Sequence, residues 1–497
     1  MASRDGMLAN RTFDALAWGA RTLGGIGPVR RALANRTEHR LREKAYRPAS
    51  ELRQPPSCEQ DRAAMGLALL SLAERALAER RLGSPAVRAL IKTLLMDALV
   101  HRGDPSAKGR FRARHGCSPP DFLAISPGKA CNLRCVGCYA NSGAHREKLD
   151  WATFERMVVD ARREWGSRVF VLTGGEPLAY RDDGKGVLDL AEGHPDCFFI
   201  MYTNGTLIDD RVARRIGRLG NLSPALSIEG MRARTDARRG EGVFDKVVAA
   251  MERLRREGVF FGLSLTATRE NAEEILGDEV IDTFFGGEGA LYAFVFQYMP
   301  IGRSFTLELM MTAEQRFRLW QRSWSLIRER HLFIVDFWNG ATGSNGCLAA
   351  GRSGGYFHVN WNGDVSPCVF FPYSPVNIRE VYARGGSLDE VWAQPFFADI
   401  RKWQRDYAYR ESHEPCPDCR NWIAPCLIRD HHVDFLRIMR SHDARPTDDD
   451  SREALEDPAY HAGLERFDRE FQAITDPVWE TRYLRSPGVP PAPMRRR

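Results

Sequence analysis

The sequence predicts an α/β protein built on a partial, TIM-like (β/α)6 barrel, with a helical region before it and a small cysteine-rich domain after it. Three observations make the prediction. Between residues 121 and 330, six short apolar runs alternate with charged, helix-like stretches, the texture of a parallel sheet covered on its faces. Upstream, apolar residues recur at helical spacing. Downstream, from about residue 340, long helical patterns give way to Gly, Trp and turn signals, and five cysteines gather there.

Residues 1–115 form the helical region. Its first part, to about residue 45, mixes arginines with Phe13, Leu16, Trp18, Leu23, Ile26, Val29 and Leu33 and is weakly amphipathic. A helix packed on the rest of the protein is one reading; a helix lying on a membrane surface is the other. A second helix is expected over Ala63 to Arg80, with Met65, Leu69, Leu72, Ala76 and Leu77 on one side. A third starts at Ser84-Pro85, an N-cap followed by a first-turn proline, and runs to Leu99. The polar stretch from Arg102 to Pro120 reads as a linker.

The barrel spans 121–330. Its strands are expected at Phe122–Ser126, Val169–Thr173, Phe198–Tyr202, Pro224–Ile228, Phe260–Leu265 and Tyr292–Phe296. Helices such as Trp151–Trp165 and Phe244–Glu257 separate them. Six units are too few for a closed eight-fold barrel, so a partial one follows. The cysteine-rich domain covers 340–435 and includes Asn362-Gly363, a hairpin signal. A tail, 436–497, has charged helical segments and a Pro-rich, basic end.

With 43 % hydrophobic and 27 % charged residues over 497 positions, the chain reads as a soluble globular protein. A net charge of +6 is modest for this length, and no basic run is interleaved with aromatics, so nucleic acid is not an expected partner. No secretory signal and no long apolar stretch is apparent. Eight of the eleven cysteines are grouped as metal ligands are, and not spread as a disulfide framework, which suits a reducing cytoplasm.

The first group is Cys131, Cys135 and Cys138, spaced C-x3-C-x2-C in the loop after the first apolar run. Active sites of parallel β/α folds are built on such loops. Thiolates are natural iron–sulfur ligands, and clusters usually take four, so three leave one iron open for a small molecule. A structural zinc with a remote fourth ligand is the alternative. The whole run resembles the cysteine motif of the radical S-adenosylmethionine (radical SAM) superfamily. It departs from the motif at Gly137, where that family usually has an aromatic residue, with Tyr139 just after.

The resemblance continues at matching distances. Gly174, Gly175, Glu176 and Pro177 look like the family's glycine–glycine–glutamate–proline turn, which receives the SAM amino group. Tyr202-Thr203-Asn204-Gly205 looks like its Thr-Asn-Gly strand end, and Ser227-Ile-Glu229-Gly230 resembles its Ser-x-Asp-Gly signature, with Glu229 in place of Asp. The resemblance implies that Thr203 and Asn204 lie close to the cofactor and that Ser227 and Glu229 contact its ribose. Arg239 is a candidate partner of the SAM carboxylate. Pro300-Ile-Gly-Arg303 matches more loosely.

The second group is Cys347, Cys368, Cys416, Cys419 and Cys426. On spacing alone it suits zinc or iron–sulfur alike. Behind such a barrel it resembles the SPASM/twitch extensions, which implies an auxiliary [4Fe–4S] cluster. It departs from a full SPASM extension in having six residues between Cys419 and Cys426 and Asp430 at the next ligand position. One auxiliary cluster follows, with Asp430 and His431 the candidate ligands for any second.

The resemblance implies a [4Fe–4S] cluster that cleaves SAM to a 5′-deoxyadenosyl radical, which abstracts hydrogen from an unactivated C–H bond. A peptide or protein is the expected substrate, with a membrane lipid or isoprenoid chain and a small molecule as alternatives. A ferredoxin- or flavodoxin-like reductant is the expected partner. A non-catalytic electron-transfer protein is the remote alternative, and the Gly174–Pro177 motif argues against it.

Overall fold

The computed structural model describes residues 27–45, 54–92, 105–407, 409 and 419–485. Strands β1 (Phe122–Ile125), β2 (Val169–Leu172), β3 (Phe198–Thr203), β4 (Leu222–Ile228), β5 (Gly262–Ala267), β6 (Tyr292–Gln297) and β7 (Phe333–Asp336) pair in parallel and in sequence order. Every predicted run is a strand. The sheet then extends beyond the six expected units. β7 continues it past β6, and β8 (Tyr356–Val359) lies parallel on the free side of β1. β9 (Asp364–Ser366) folds back antiparallel on β8 through the predicted Asn362-Gly363 turn, where Gly363 takes φ 91°. β7 and β8 do not pair with each other in the sheet order. Phe337, just past β7, instead meets Tyr356 of β8 edge to face, ring centroids 6.2 Å apart.

Side chains alternate across each strand and so sort into two sets. Leu123, Ile125, Phe170, Leu172, Phe199, Met201, Leu263 and Leu265 face outward and are fully buried under the helices. Trp151–Trp165 supplies Phe154, Met157, Val158 and Ala161 to that layer, and Val243–Arg256 supplies Val247, Ala250, Met251 and Leu254. The other set, Phe122, Val171, Tyr202, Thr266, Phe296 and their neighbours, faces a central cavity. Asp150 caps the first of these helices by accepting from Thr153 N, and Gly166 ends it in the left-handed conformation.

The N-terminal helices close the end of the barrel where the strands begin. Leu72, Ala76, Leu82, Ala86 and Val87 pack on Phe198, Phe260, Leu291 and Tyr292. The expected helix Ala63 to Arg80 is the longer Pro56–Ala78. Its buried face is Ala64, Leu67, Ala68, Leu72 and Ala76, whereas Leu69 is 47 % exposed. The alanines let neighbouring backbones approach, which hydrophobicity alone does not reveal. The helix Gly27–Ala45 packs on it, Leu41 facing Gly66, in line with the packed reading of the N-terminus; residues 1–26 lie outside the described part.

The helix at Ser84 is described to Ala89, and residues 93–104 lie outside the description. The expected linker contains a helix, Pro105–His115, because Phe111 is buried against Trp392. Among the described residues, no helix is long and apolar enough to cross a membrane.

His358 of β8 is buried, with Nε2 2.8 Å from Ser126 Oγ, and burial lowers its pKa to about 3. The unfolded chain therefore binds a proton near pH 6.5 that the folded protein refuses. Stability falls as pH drops from about 6.5 toward 3, by up to about 1.4 kcal/mol per pH unit from this residue. In urea titrations across that range, His358→Asn should flatten this part of the profile.

Candidate active site and auxiliary thiol site

A cavity of about 390 Å³ opens at the C-terminal ends of the strands. Cys131, Cys135, Cys138, Gly174, Gly175, Thr203, Asn204 and Ser227 all lie on its wall. Four segments at or just past the ends of β1, β2, β3 and β4, far apart in sequence, bring them together. Glu176, Pro177 and Glu229 are not on the wall; they stand behind it.

Glu176 is 2 % exposed, and its carboxylate is used internally. Oε1 accepts from Thr203 Oγ1 at 2.7 Å and from Leu178 N at 3.1 Å, and Oε2 accepts from Asn204 N at 2.8 Å. It thereby ties the end of β2 to the end of β3. Burial raises its pKa against these hydrogen bonds. The two glycines are needed for contact with the cysteine loop. A Cβ on Gly175 would lie 2.2 Å from Ala130 O, and Gly174 takes φ 109°. Gly175 N and Glu176 N donate to Gly128 O and Ala130 O, at 3.0 and 2.9 Å.

The cysteine loop is held from three further sides. Asn204 Nδ2 reaches Cys131 Sγ at 3.7 Å and Asn132 Oδ1 at 2.9 Å, and Leu133 N donates to Cys131 Sγ at 3.4 Å. Val136 N donates to Arg238 O at 2.9 Å. Arg303 Nη1 donates to Cys135 O at 2.6 Å, its backbone N donates to Cys138 O at 3.0 Å, and Nη2 donates to Ser142 O. Burial pushes the Cys131 thiol up to about 11, with Glu176, Cys135 and Cys138 adding to the shift. A partly buried thiol crowded by two others, as Cys131 is, is well stabilised as a thiolate by a bound metal cluster.

Glu229 is 1 % exposed, and its Oε1 accepts from Arg238 Nη1 at 2.7 Å and Arg239 Nε at 2.8 Å. Both arginines line the cavity, so Glu229 acts through them. Two guanidiniums on one carboxylate leave one uncompensated positive charge, and Arg238 Nε has no hydrogen-bond partner. That suits the carboxylate of SAM. Arg238 escaped the sequence reading because a run of arginines on a surface-type helix offers no signal of its own.

Gly137 explains the missing aromatic. It takes φ 61°, and a Cβ there would lie 2.6 Å from Tyr298 Cε2 and 2.8 Å from Leu309 Cδ1. Tyr298 already fills the space. Gly137→Ala should cost about 1–3 kcal/mol of stability from overpacking and left-handed strain, read by thermal unfolding.

In the second site, Cys347, Cys368 and Cys426 share the wall of a small cavity with Phe337, Trp338 and Phe370. Burial raises all three thiols, and Cys368 also feels both of the others. Donors approach each of them: Ala349 N and the Gln404 amide at Cys347, Phe370 N and the Tyr356 hydroxyl at Cys368, and the Trp338 indole at Cys426. Cys419 is buried and disulfide-bonded, its partner outside the described residues, as is Cys416. Asp430 is not a free ligand. It is fully buried, forms an ion pair with Arg316 (Nη1–Oδ1 2.5 Å, Nη2–Oδ2 3.0 Å) and accepts from Cys426 N at 3.0 Å. His431 Nε2 lies 2.9 Å from Ala424 O. Among the described residues, no group of three or more His, Cys, Asp or Glu side chains is placed to hold a single metal ion.

The two sites adjoin. Phe337, Leu348 and Phe370 line both cavities.

Comparison with known proteins agrees with this arrangement. Residues 125–278 match the Radical SAM superfamily, and residues 347–420 match the SPASM iron–sulfur cluster-binding domain. The chain is 30 % identical to the Fe-coproporphyrin III synthase of Methanosarcina barkeri over 149 residues, 30 % of this chain and 37 % of that protein. It is 24 % identical to the AdoMet-dependent heme synthase of Nitratidesulfovibrio vulgaris, covering 64 % of this chain and 91 % of the relative. It is 27 % identical to the mycofactocin maturase MftC of Mycobacterium ulcerans, covering 67 % and 96 %. Among solved structures, Streptococcus suis SuiB bound to S-adenosylmethionine overlays with a TM-score of 0.48 at 18 % identity, over 69 % of this chain and 83 % of that one. The cofactors are those of the two matched domains, a [4Fe–4S] cluster with SAM and an auxiliary iron–sulfur cluster. With both domain models matched in order and their thiols on adjoining cavities, the chain carries a radical SAM domain followed by a SPASM iron–sulfur cluster-binding domain.

Proposed function

We propose that the enzyme abstracts hydrogen from an unactivated C–H bond of a peptide or protein side chain, with the auxiliary site assisting oxidation or bond formation. The observation that supports it is the cavity wall. Its charged members are Arg238 and Arg239 alone, and the rest is apolar or neutral, including Phe294, Phe296, Phe337 and Tyr202. Once the SAM carboxylate meets the arginine pair, no charge remains for a substrate's acidic groups. A neutral side chain presented on a peptide fits this wall better than a polycarboxylate does.

When bound, the cluster and SAM supply one electron and a 5′-deoxyadenosyl radical. The chain's part is placement. Cys131, Cys135 and Cys138 hold the cluster, and Arg303 and Arg238 fix the loop that presents them. Gly174 and Gly175 bring backbone against the ligand, with Glu176 and Pro177 supporting the turn, and Ser227 stands on the wall for the ribose. Thr203 and Asn204 close the site beside Cys131. The aromatic floor keeps water from the target carbon. Cys347, Cys368 and Cys426 would hold the auxiliary cluster, and Cys419, disulfide-bonded here, would join them with Cys416 only once reduced. A ferredoxin- or flavodoxin-like protein supplies the electron.

The test uses cells grown on deuterated medium and separated into peptide, lipid and small-molecule fractions. Each fraction is given anaerobically to the reduced, reconstituted enzyme with unlabelled SAM, and mass spectrometry reads deuterium in 5′-deoxyadenosine. Label from the peptide fraction is expected. Label from the lipid or small-molecule fraction alone overturns the peptide reading.

A further inference from the structure

Tyr356 opens β8 and is 2 % exposed. Its ring is stacked on Phe122 (centroids 4.8 Å apart, planes 8° apart), meets Phe337 edge to face and forms part of the central cavity's wall. The ring therefore has one available orientation. Its hydroxyl lies beside the Cys368 thiol and the Val369 backbone and is directed at them, without reaching full hydrogen-bond geometry with either. A buried phenol without a partner costs about 1–3 kcal/mol, and such groups in native proteins call for an explanation. A neutral thiol is a poor acceptor. A cluster-bound thiolate is a good one.

We propose that the Tyr356 hydroxyl donates a hydrogen bond to the Cys368 sulfur when the auxiliary cluster is in place, and that this bond raises the cluster's reduction potential. The inference rests on the reading of Cys368 as a cluster ligand. A donor aimed at a ligand sulfur favours the more negative, reduced cluster, and it does so strongly where the surroundings are apolar. The position gives the bond a purpose. Tyr356 has its ring on the wall of the central cavity and its hydroxyl beside Cys368, which lines the smaller one. A raised potential makes the auxiliary cluster a better acceptor for the electron that a substrate radical must lose in a net oxidation. Tyr356 is thus a positioning and tuning residue, not a catalytic one.

The test compares the anaerobically reconstituted full chain with Tyr356→Phe by potentiometric titration monitored by electron paramagnetic resonance. Adding SAM perturbs the first cluster's signal and so identifies the auxiliary one. The expected result is unchanged iron content, an auxiliary midpoint potential shifted to more negative values, and an unchanged SAM-cluster potential. In D2O, the auxiliary signal of the unsubstituted enzyme should show an exchangeable deuteron that Tyr356→Phe lacks. Equal potentials and equal deuteron couplings overturn the proposal. Should Tyr356→Phe fail to load the cluster, 3-fluorotyrosine at position 356, a stronger donor of nearly the same shape, should move the potential the other way; no movement overturns it. Iron sufficient for the first cluster only in the unsubstituted enzyme overturns the ligand reading, and this proposal with it.

Discussion

Alanine in place of any one of Cys131, Cys135 or Cys138 abolishes reductive SAM cleavage, leaving no 5′-deoxyadenosine above background. The expectation rests on geometry as much as on motif. The three thiols sit on one loop anchored at Ala130, Asn132, Cys135, Cys138 and Ser142, and no further cysteine lines the same cavity among the described residues. Cys58 and Cys197 are fully buried elsewhere and cannot replace a missing ligand. Cys197→Ala serves as the control and should cleave SAM normally. Mass spectrometry of reduced, reconstituted protein measures the outcome, and retained cleavage in any of the three variants would remove the basis of the assignment. Cys416→Ala and Cys419→Ala should behave differently, lowering iron content while SAM cleavage persists.

Asp430→Ala should destabilise the protein by about 3–5 kcal/mol, because it leaves a buried guanidinium without its counter-ion. Arg316 and Asp430 are both fully buried, and Arg429, 2 % exposed, lies against the same carboxylate. The two arginines hold the Asp430 carboxyl down at about 2, against burial, which raises it. Its removal strands two cations and frees Cys426 N, so auxiliary iron should fall along with stability. Urea unfolding of anaerobically purified protein reads the first effect and iron analysis the second. The paired change Arg316→Met with Asp430→Leu should recover only part of the loss, since Arg316 no longer needs a counter-ion while the buried Arg429 still lacks one. A single-variant loss under about 1 kcal/mol would mean that water reaches this pair.

Parts of the fold and site were legible in the sequence for definite reasons. β1 to β6 are buried on both faces, so each is a continuous apolar run framed by helices. The C-x3-C-x2-C loop and the Gly174-Gly175 turn are local in sequence, and their residue types have few other uses. β7 was equally apolar as Phe333–Asp336 but followed a long helix and was not counted. β8 was expected as half of a hairpin; its place beside β1 depends on pairing across more than 230 residues. Leu69 was expected inside and is exposed, since small residues set the approach of that helix.

The sequence by itself determined the barrel's strands and the grouping of the thiols, because periodicity and short-range spacing record those directly, and its motifs carried the resemblance to the radical SAM superfamily. Only the tertiary structure decided how the parts serve one another. It turned Glu229 toward Arg238 and Arg239, closed Asp430 into an ion pair with Arg316, and filled the space beside Gly137 with Tyr298. It also set the Tyr356 ring on the central cavity and its hydroxyl beside Cys368. Each of these is a contact between residues distant in the chain, whose partners are chosen by packing and by the need to satisfy buried charge and hydrogen bonds.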